Sequence, residues 1–206
     1  MIGRRREEIE ELGRILLKTG CLKFGTFKLS SGILSPYYID LRLVLSDPEA
    51  FKRVIEFYSD RLRGLLERST RLAGIPTTGI AYAAVLAFNH GKPFLYVRRE
   101  AKEYGSRRRI EGLLFPGDRV LVLDDVVTSG SNLLGAVDAL RAEGGIVEDA
   151  VVLLDRQQGG VKNLKEVGVN LHSFATISEV CRVLLTKGAI EDAQLSQILE
   201  QMNEAS

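Results

Sequence analysis

Two adjacent acids follow an apolar run in the stretch VLVLDDVVTSGSN, residues 120–132, and lead into a loop of small hydroxyl residues around a glycine. If the run is a strand of an open parallel sheet, Asp124 and Asp125 stand at its carboxyl end, where such sheets bind ligands. Two neighbouring carboxylates there require a metal ion or a set of hydroxyl groups to compensate them. The loop from Thr128 to Ser131 turns into a helix, whose first N–H groups attract an anion. A sugar phosphate meets both demands, because its phosphate fits the loop and its hydroxyls, directly or through Mg²⁺, fit the acids.

The same loop is also compatible with an ordinary strand-to-helix turn in which Ser129 or Ser131 caps the helix. A Walker-type nucleotide loop is excluded because no lysine follows the glycine, and the GxGxxG pattern of dinucleotide sites does not occur in the sequence. The two preceding acids therefore favour the sugar phosphate over a plain turn.

The composition is that of an ordinary globular protein. The chain has 206 residues, of which 45% are hydrophobic and 27% charged, and its net charge is +1. The net charge by itself argues neither for nor against nucleic acid, but the basic clusters 4–6 and 107–109 are short and typical of a solvated surface, so we expect no nucleic-acid partner. The two cysteines, Cys21 and Cys181, lie far apart and predict a reducing, cytoplasmic location. No apolar run approaches the roughly 20 residues of a membrane span, so we expect no membrane association.

The hydrophobic pattern predicts the strands and helices that must position the acid pair and the loop after it. From residue 70 onward, near-continuous apolar runs alternate with helical segments, which predicts an α/β fold with a central parallel sheet flanked by helices. The predicted strands are residues 71–75, 94–98, 119–125, 147–155 and 171–176. The predicted helices are residues 7–20, 79–89, 131–145, about 160–167 and 178–202, with a further helix starting at Ser46-Asp47-Pro48. We predict a single domain of residues 1–206, in which residues 1–45, with short strands and turns at 21–42, form a subdomain against the sheet.

One segment does not fit this alternation. Residues 99–118 are strongly charged and have no clear apolar stripe at their start. Long loops in compact domains are often functional, but a surface excursion explains the segment equally well.

Several segments together carry a resemblance to a known family. The stretch 120–132 resembles the phosphoribosyl-pyrophosphate (PRPP) motif of the type I phosphoribosyltransferases. FGTFKLSSGILSPYYIDLR (24–42) is similar to the N-terminal signature of the orotate phosphoribosyltransferases, and GIPTTGIAYAA (74–84) resembles their pyrophosphate loop. VRREAKEYG (97–105) resembles their catalytic loop and LLDRQQGG (153–160) their base-recognition segment. The segments occur in the family's order, so the resemblance points to the orotate-specific branch rather than to the superfamily alone.

The resemblance implies a fold, a reaction and a set of partners. The fold is the type I phosphoribosyltransferase fold with a small N-terminal hood. The reaction transfers the 5-phosphoribosyl group from PRPP to N1 of orotate, giving orotidine 5′-monophosphate and pyrophosphate in pyrimidine biosynthesis. The cofactor is Mg²⁺, held at Asp124 and Asp125 mainly through PRPP hydroxyls or water. The assembly is a homodimer in which the loop 99–112 reaches the neighbouring active site.

The resemblance also assigns roles to individual residues. The implied catalytic residues are Lys102, Arg98, Asp124 and Asp125. The implied PRPP-binding residues are Arg98, Arg99, Lys102, Asp124, Asp125, Val126, Val127, Thr128, Ser129, Gly130, Ser131, Asn132 and Thr78. The implied orotate-binding residues are Thr128, Arg156 and Tyr38, of which Arg156 would pair with the carboxylate of the base. From the residues alone, Arg156 could equally form a local ion pair with Asp155, and Tyr38 could belong to the packing of the small subdomain.

The chain departs from the family pattern at several positions, among them Arg107–Arg109, which replace an often glycine-rich stretch. Arg99 replaces the usual loop lysine, and Tyr104 replaces the usual loop histidine. Ser30 and Thr78 stand where some relatives carry lysine. Catalysis by charge stabilisation is therefore favoured over proton transfer from the loop. A phosphoribosyltransferase for a purine or for uracil, and a regulator that senses PRPP without turning it over, remain as alternatives.

Overall fold

Helices and strands alternate along most of the chain. The computed structural model describes residues 2–28, 34–99 and 109–204. Its strands are β1 Leu22–Lys28, β2 Leu34–Ile39, β3 Arg71–Gly74, β4 Phe94–Val97, β5 Ile110–Glu111, β6 Arg119–Val127, β7 Ile146–Asp155 and β8 Asn170–Thr176. Its helices are α1 Ile2–Lys18, α2 Pro48–Arg68, α3 Thr78–Asn89, α4 Ser131–Ala142, α5 Gly160–Glu166, α6 Ile177–Thr186 and α7 Asp192–Glu204, with a 3₁₀ helix Leu41–Ser46 before α2.

The apolar runs of the sequence form one central sheet. Within the described residues its strand order is β5-β4-β3-β6-β7-β8, parallel throughout except for β5, which pairs antiparallel with β4 at one edge. Leu123 on β6 and Leu153 on β7 have no exposed surface, because helices cover both faces of the sheet. The predicted α/β fold with a central parallel sheet is confirmed.

Local chemistry explains where the predicted helices begin and end. Asp47 caps α2 by accepting a hydrogen bond from the Ala50 N–H at 3.1 Å, with Pro48 in the first turn as expected. Helix α4 ends at Ala142, three residues before the predicted boundary. Gly144 adopts φ +87° there, and the Gly145 N–H donates to the Leu140 carbonyl at 2.9 Å, which closes the helix.

Helix α1 starts earlier than the hydrophobic pattern predicts. Arg4 pairs with Glu8 at 2.9 Å and with Asp60 of α2 at 3.1 Å, while Arg5 pairs with Glu179 of α6 at 2.7 Å. These contacts to other helices extend α1 toward the N-terminus through charged residues that carry no apolar periodicity.

A small second sheet lies apart from the central one. Strands β1 and β2 pair antiparallel, with an irregularity between Phe24 and Phe27. This hairpin corresponds to the predicted N-terminal hood, whereas the assignment of residues 1–45 to a hood within a single domain stays a prediction. None of the helices in the described part of the chain is long and apolar enough to cross a lipid bilayer.

The buried centre of β7 gives a test of this packing. Leu153 is fully buried, whereas 69% of Leu113, after β5, is exposed. We expect Leu153→Ala to lower the free energy of unfolding by roughly 2–5 kcal/mol and Leu113→Ala by about 0.5 kcal/mol or less. Urea unfolding of both variants measures the difference, and equal losses would contradict the packing described.

Candidate active site

A cavity of about 330 Å³ opens at the carboxyl ends of β3 and β6. Four segments line it: residues 39–42 from the end of the hood, the loop 76–78 after β3, Arg99 after β4, and residues 124–133. The structure therefore brings the predicted acid pair and its following loop together with the segment that resembles a pyrophosphate loop.

The acid pair is desolvated. Asp124 is buried, and its Oδ1 accepts a hydrogen bond from the Asp125 N–H at 2.9 Å. Asp125 is half-buried and accepts one from the Val126 N–H at 2.8 Å. Burial raises the pKa of Asp124 well above its usual value, and the neighbouring charge of Asp125 raises it further. Burial also raises the pKa of Asp125, although the Thr78 hydroxyl acts in the opposite direction. The two carboxylates are therefore poised for a ligand that compensates their charge.

Helix α3 approaches this pair closely because residue 79 has no side chain. A Cβ atom on Gly79 would lie 2.6 Å from the Leu123 carbonyl oxygen and 2.9 Å from the Asp124 Cα. The first turn of α3 therefore lies against the acids, where its positive dipole end is favourable. The loop before it contains a cis peptide bond between Pro76 and Thr77.

The loop after β6 leaves the start of α4 without a side-chain cap. Gly130, with φ +83°, is the N-cap residue, and the described residues show no side-chain hydrogen bond that caps the helix. The hydroxyls of Ser129 and Ser131 lie 2.8 Å apart and bond to each other instead. The alternative from the sequence, in which Ser129 or Ser131 caps the helix, is therefore wrong. The N–H groups of the first turn remain available to an anion.

The segment that resembles a base-recognition motif packs directly on this loop. The Arg156 N–H donates to the Val127 carbonyl at 3.0 Å. A Cβ atom on Gly160 would lie 2.5 Å from Val127 Cγ2 and 2.8 Å from the Thr128 carbonyl oxygen. Only glycine at the start of α5 permits this approach.

Two charged residues of the cavity wall were not predicted. Asp40 and Arg42 both line the cavity, and Arg42 binds Asp40 through two hydrogen bonds of 2.6 Å and 2.7 Å. The Arg42 hydrogen bond lowers the pKa of Asp40 below its usual range. Their signal in the sequence is the IDLR end of the N-terminal signature, where an acid and a base stand two residues apart.

Of the predicted loop cations that the structure describes, one lines the cavity and one does not. Arg99 lines the cavity and its Nη2 donates to the Pro76 carbonyl at 3.2 Å. Arg98 does not line the cavity, and its Nη1 lies 3.5 Å from Glu111 Oε1. Lys102, Tyr104 and Ser30 lie outside the described residues, and their roles stay predictions.

Arg109 braces the base of the same loop. Its guanidinium donates to the Arg98 carbonyl at 3.0 Å and to the Gly135 carbonyl at 2.9 Å. This side chain ties β5 and β4 to α4.

The structure divides the predicted base-binding residues: Thr128 lines the cavity, whereas Arg156 and Tyr38 do not. The Arg156 side chain is 9% exposed; its Nε donates to the Tyr37 hydroxyl at 3.1 Å and its guanidinium carbon lies 4.7 Å from the Tyr37 ring centroid. Tyr38, 36% exposed, packs against Phe27 at 5.6 Å between ring centroids and does not line the cavity. Its predicted contact with the base stays a prediction.

Arg156 is not neutralised by its neighbour in sequence. Asp155 Oδ1 accepts a hydrogen bond from the Gln157 N–H at 2.7 Å, and the described residues show no ion pair between Asp155 and Arg156. Arg156 Nη2 is buried and has no hydrogen-bond partner among the described residues. Because a buried guanidinium nitrogen without a partner is costly, this geometry favours an anionic ligand over the local ion pair.

Comparisons with known proteins agree with this geometry. A family model described as "Phosphoribosyl transferase domain" matches residues 44–183. An orotate phosphoribosyltransferase of Pyrobaculum islandicum is 49% identical over 158 residues, which cover 76% of this chain and 81% of that protein. The crystal structure of orotate phosphoribosyltransferase from Aeropyrum pernix is 36% identical, with a TM-score of 0.78 over 87% of this chain and 99% of that one. The structure of Leishmania donovani UMP synthase gives a TM-score of 0.84 at 31% identity over 94% of this chain and 42% of that one.

The sheet, the acid pair and the loop at its strand end are those of a phosphoribosyltransferase. Within that class the chain belongs to the orotate phosphoribosyltransferase family, as the relatives matched over most of their own length show. The predicted family, fold class and enzyme class are confirmed. The roles of individual residues stay predictions.

The burial of Asp124 should lower the stability of the folded protein at neutral pH, which gives a test of the pKa assignment. Because the folded-state pKa of Asp124 is raised, its ionised form destabilises the folded protein above that pKa, and the penalty disappears as the pH falls toward 4. We expect Asp124→Asn to raise the free energy of unfolding at pH 7.5 by more than about 1 kcal/mol, with the gain shrinking toward pH 4. Urea unfolding between pH 4 and 8 measures this.

Asp138→Asn, at an exposed position on α4, serves as the control and should show no such pH-dependent gain. A pH-independent effect, or a loss of stability in Asp124→Asn at pH 7.5, would contradict the assignment.

Proposed function

We propose that this site transfers the phosphoribosyl group of PRPP to N1 of orotate, with the sugar phosphate held between the acid pair and the start of α4. The proposal rests chiefly on one observation: two desolvated carboxylates and an uncapped helix N-terminus line the same cavity. Asp124 and Asp125 bind the ribose hydroxyls. The N–H groups and hydroxyls of residues 128–132 bind the 5′-phosphate, and Val126 and Val127 form the floor between them.

The leaving group lies toward the other wall. In the transition state the sugar becomes like an oxocarbenium ion, and negative charge grows on the departing pyrophosphate. Arg99 and the start of α3 at Thr78 line this side of the cavity, which supports a role in stabilising that charge. Arg98 and Lys102 complete the set of cations in the proposal. Because Tyr104 replaces a loop histidine, this stabilisation carries the reaction, and orotate enters with N1 already deprotonated.

We assign the metal to the substrate side of the site. Mg²⁺ typically binds through one or two carboxylates together with substrate oxygens and water. Asp124 and Asp125 fit that pattern, and no group of three or more His, Cys, Asp or Glu side chains within residues 2–28, 34–99 and 109–204 could hold a metal ion. When bound, Mg²⁺ supplies positive charge to the pyrophosphate.

Arg156 provides the recognition of the base. Orotate carries a carboxylate, which a planar guanidinium binds through two parallel hydrogen bonds. The buried Nη2 without a partner among the described residues supports this assignment. Purine bases and uracil carry no carboxylate, so Arg156 favours orotate over either of these bases as the substrate. Thr128 and Tyr38 are the further base contacts of the proposal.

The assembly proposed is a homodimer whose loop 99–112 serves the neighbouring site. Helix α3, TGIAYAAVLAFN, is apolar on all sides, and 87% of Phe88 is exposed. Helices of this kind are normally covered on every face, which supports a second copy packed against α3.

The cytoplasm is the proposed location. Cys21 and Cys181 are both free and buried, which suits a reducing compartment. Burial raises the pKa of the Cys181 thiol to about 12, so that thiol stays protonated.

Replacing the base-recognition arginine should separate the two substrates. We expect Arg156→Ala to raise the KM for orotate about 30-fold or more, because it removes a buried charged partner, while the Kd for PRPP stays unchanged. The loss of orotate absorbance with PRPP and Mg²⁺ gives the KM, and calorimetry gives the Kd. Lys162→Ala, at an exposed position on α5, is the control. An unchanged orotate KM, or turnover of a purine instead, would remove the base assignment and leave the PRPP site standing.

Mixing two inactive variants tests the shared site. Lys102→Ala and Asp125→Asn should each be inactive alone. After reassembly in equal amounts, about a quarter of the wild-type activity should return, because half of the two-fold dimers are mixed and each mixed dimer has one complete site. Verified mixed dimers without activity would show that the loop serves its own subunit.

A further inference from the structure

The guanidinium of Arg156 is held from one side by a residue of the hood. Tyr37 on β2 is fully buried; its hydroxyl accepts a hydrogen bond from Arg156 Nε at 3.1 Å, and its ring lies 4.7 Å from the guanidinium carbon. The Nε edge is thereby used, so a bidentate carboxylate can engage only the Nη1–Nη2 edge. That edge contains the buried Nη2 that has no partner among the described residues.

Tyr37 orients the arginine without neutralising it. Burial raises the pKa of the Tyr37 hydroxyl, although the Arg156 guanidinium acts in the opposite direction. The hydroxyl therefore stays uncharged, and the positive charge of Arg156 is left for the ligand. A carboxylate in place of Tyr37 would have compensated the charge and removed the demand for an anion.

Tyr37 itself is anchored by the C-terminal helix. Ser35 Oγ lies 2.8 Å from the Tyr37 carbonyl and 2.9 Å from Gln201 Oε1 on α7, so its single proton is shared between them. Gln201 Nε2 donates to the Leu34 carbonyl at 2.9 Å. Gln201 of α7 is thus bonded to Leu34 and Ser35 of β2, and Ser35 in turn bonds to the Tyr37 carbonyl, which links α7 to the backbone of Tyr37.

Other buried tyrosines behave differently. Tyr58 donates to the Asp124 carbonyl at 2.7 Å and Tyr82 to the Leu41 carbonyl at 3.3 Å, which satisfies each hydroxyl with a neutral backbone group. Tyr37 is bonded to a guanidinium instead. This difference separates a role in orienting a cation from ordinary core packing.

We propose that Tyr37 is a positioning residue that fixes Arg156 with its Nη1–Nη2 edge free for the carboxylate of the base. The proposal rests on the proposed function of Arg156 and adds the residue that determines its orientation. The hood thereby takes part in selecting the base, in addition to covering the site.

Removing only the hydroxyl tests the proposal. Tyr37→Phe keeps the ring against Arg156 and should raise the orotate KM about 10-fold or more, while kcat and the Kd for PRPP change little. Tyr96→Phe, a half-buried tyrosine of β4, is the matched control. An unchanged orotate KM in a folded Tyr37→Phe protein, or an equal loss of PRPP affinity, would overturn the proposal.

A double mutant separates positioning from general damage. In an Arg156→Ala background, Tyr37→Phe should raise the orotate KM no further, because the group through which it acts is gone. An additional multiplicative loss would show that Tyr37 acts independently of Arg156. If Arg156→Ala alone leaves the orotate KM unchanged, the proposed function of Arg156 fails; if only Tyr37→Phe has no effect, the positioning role alone fails.

If Tyr37→Phe does not fold, a variant of Gln201 on α7 tests the same proposal. Gln201 is only half-buried, so Gln201→Ala is expected to fold. Loss of its two hydrogen bonds should raise the orotate KM about threefold or more without weakening PRPP binding. An unchanged orotate KM in that variant would contradict the anchoring step.

Discussion

The desolvation of two adjacent carboxylates is the constraint on which the site depends. Asp124 and Asp125 lie at the end of a central strand, and burial raises the pKa of both. Backbone N–H groups and the N-terminal end of α3 offset part of this cost, and α3 comes close enough only because residue 79 is glycine. The remaining demand for hydroxyl groups or a cation supports the proposal that this strand end binds a ligand.

A buried positive charge, rather than buried negative charges, lies at the end of the neighbouring strand β7. Arg156 follows β7 and is a buried cation whose Nη2 has no partner within the described part of the chain. Its backbone N–H bonds to the Val127 carbonyl, so the cation and the desolvated acids are held on neighbouring strand ends. In the proposed function, a sugar with hydroxyls satisfies the acids and a base with a carboxylate satisfies Arg156, so the two substrates would lie side by side at neighbouring strand ends.

The hood connects these sites to the rest of the chain. The Tyr37 side chain bonds to Arg156, and Ser35 links the same strand to Gln201 of α7. The 3₁₀ helix after β2 brings Asp40 and Arg42 to the cavity wall. The N-terminal and C-terminal segments therefore both contribute to the geometry around a site whose chemistry lies in the middle of the sequence.

Much of the fold and part of the site were determined by the sequence alone, because apolar periodicity and the order of acids, hydroxyls and glycines act locally. These features predicted the central strands within about two residues and the acid pair near a strand end, whereas the interest in Arg156 came from the resemblance to a known family. Tertiary structure alone decided that Tyr37 rather than Tyr38 contacts Arg156, since which face of β2 is covered depends on a partner far away in sequence. It likewise decided that Asp40 and Arg42 line the cavity and that Gly130, not a serine, occupies the N-cap position of α4. Such outcomes depend on how distant segments pack, so a local pattern such as IDLR can mark residues without showing which surface they line.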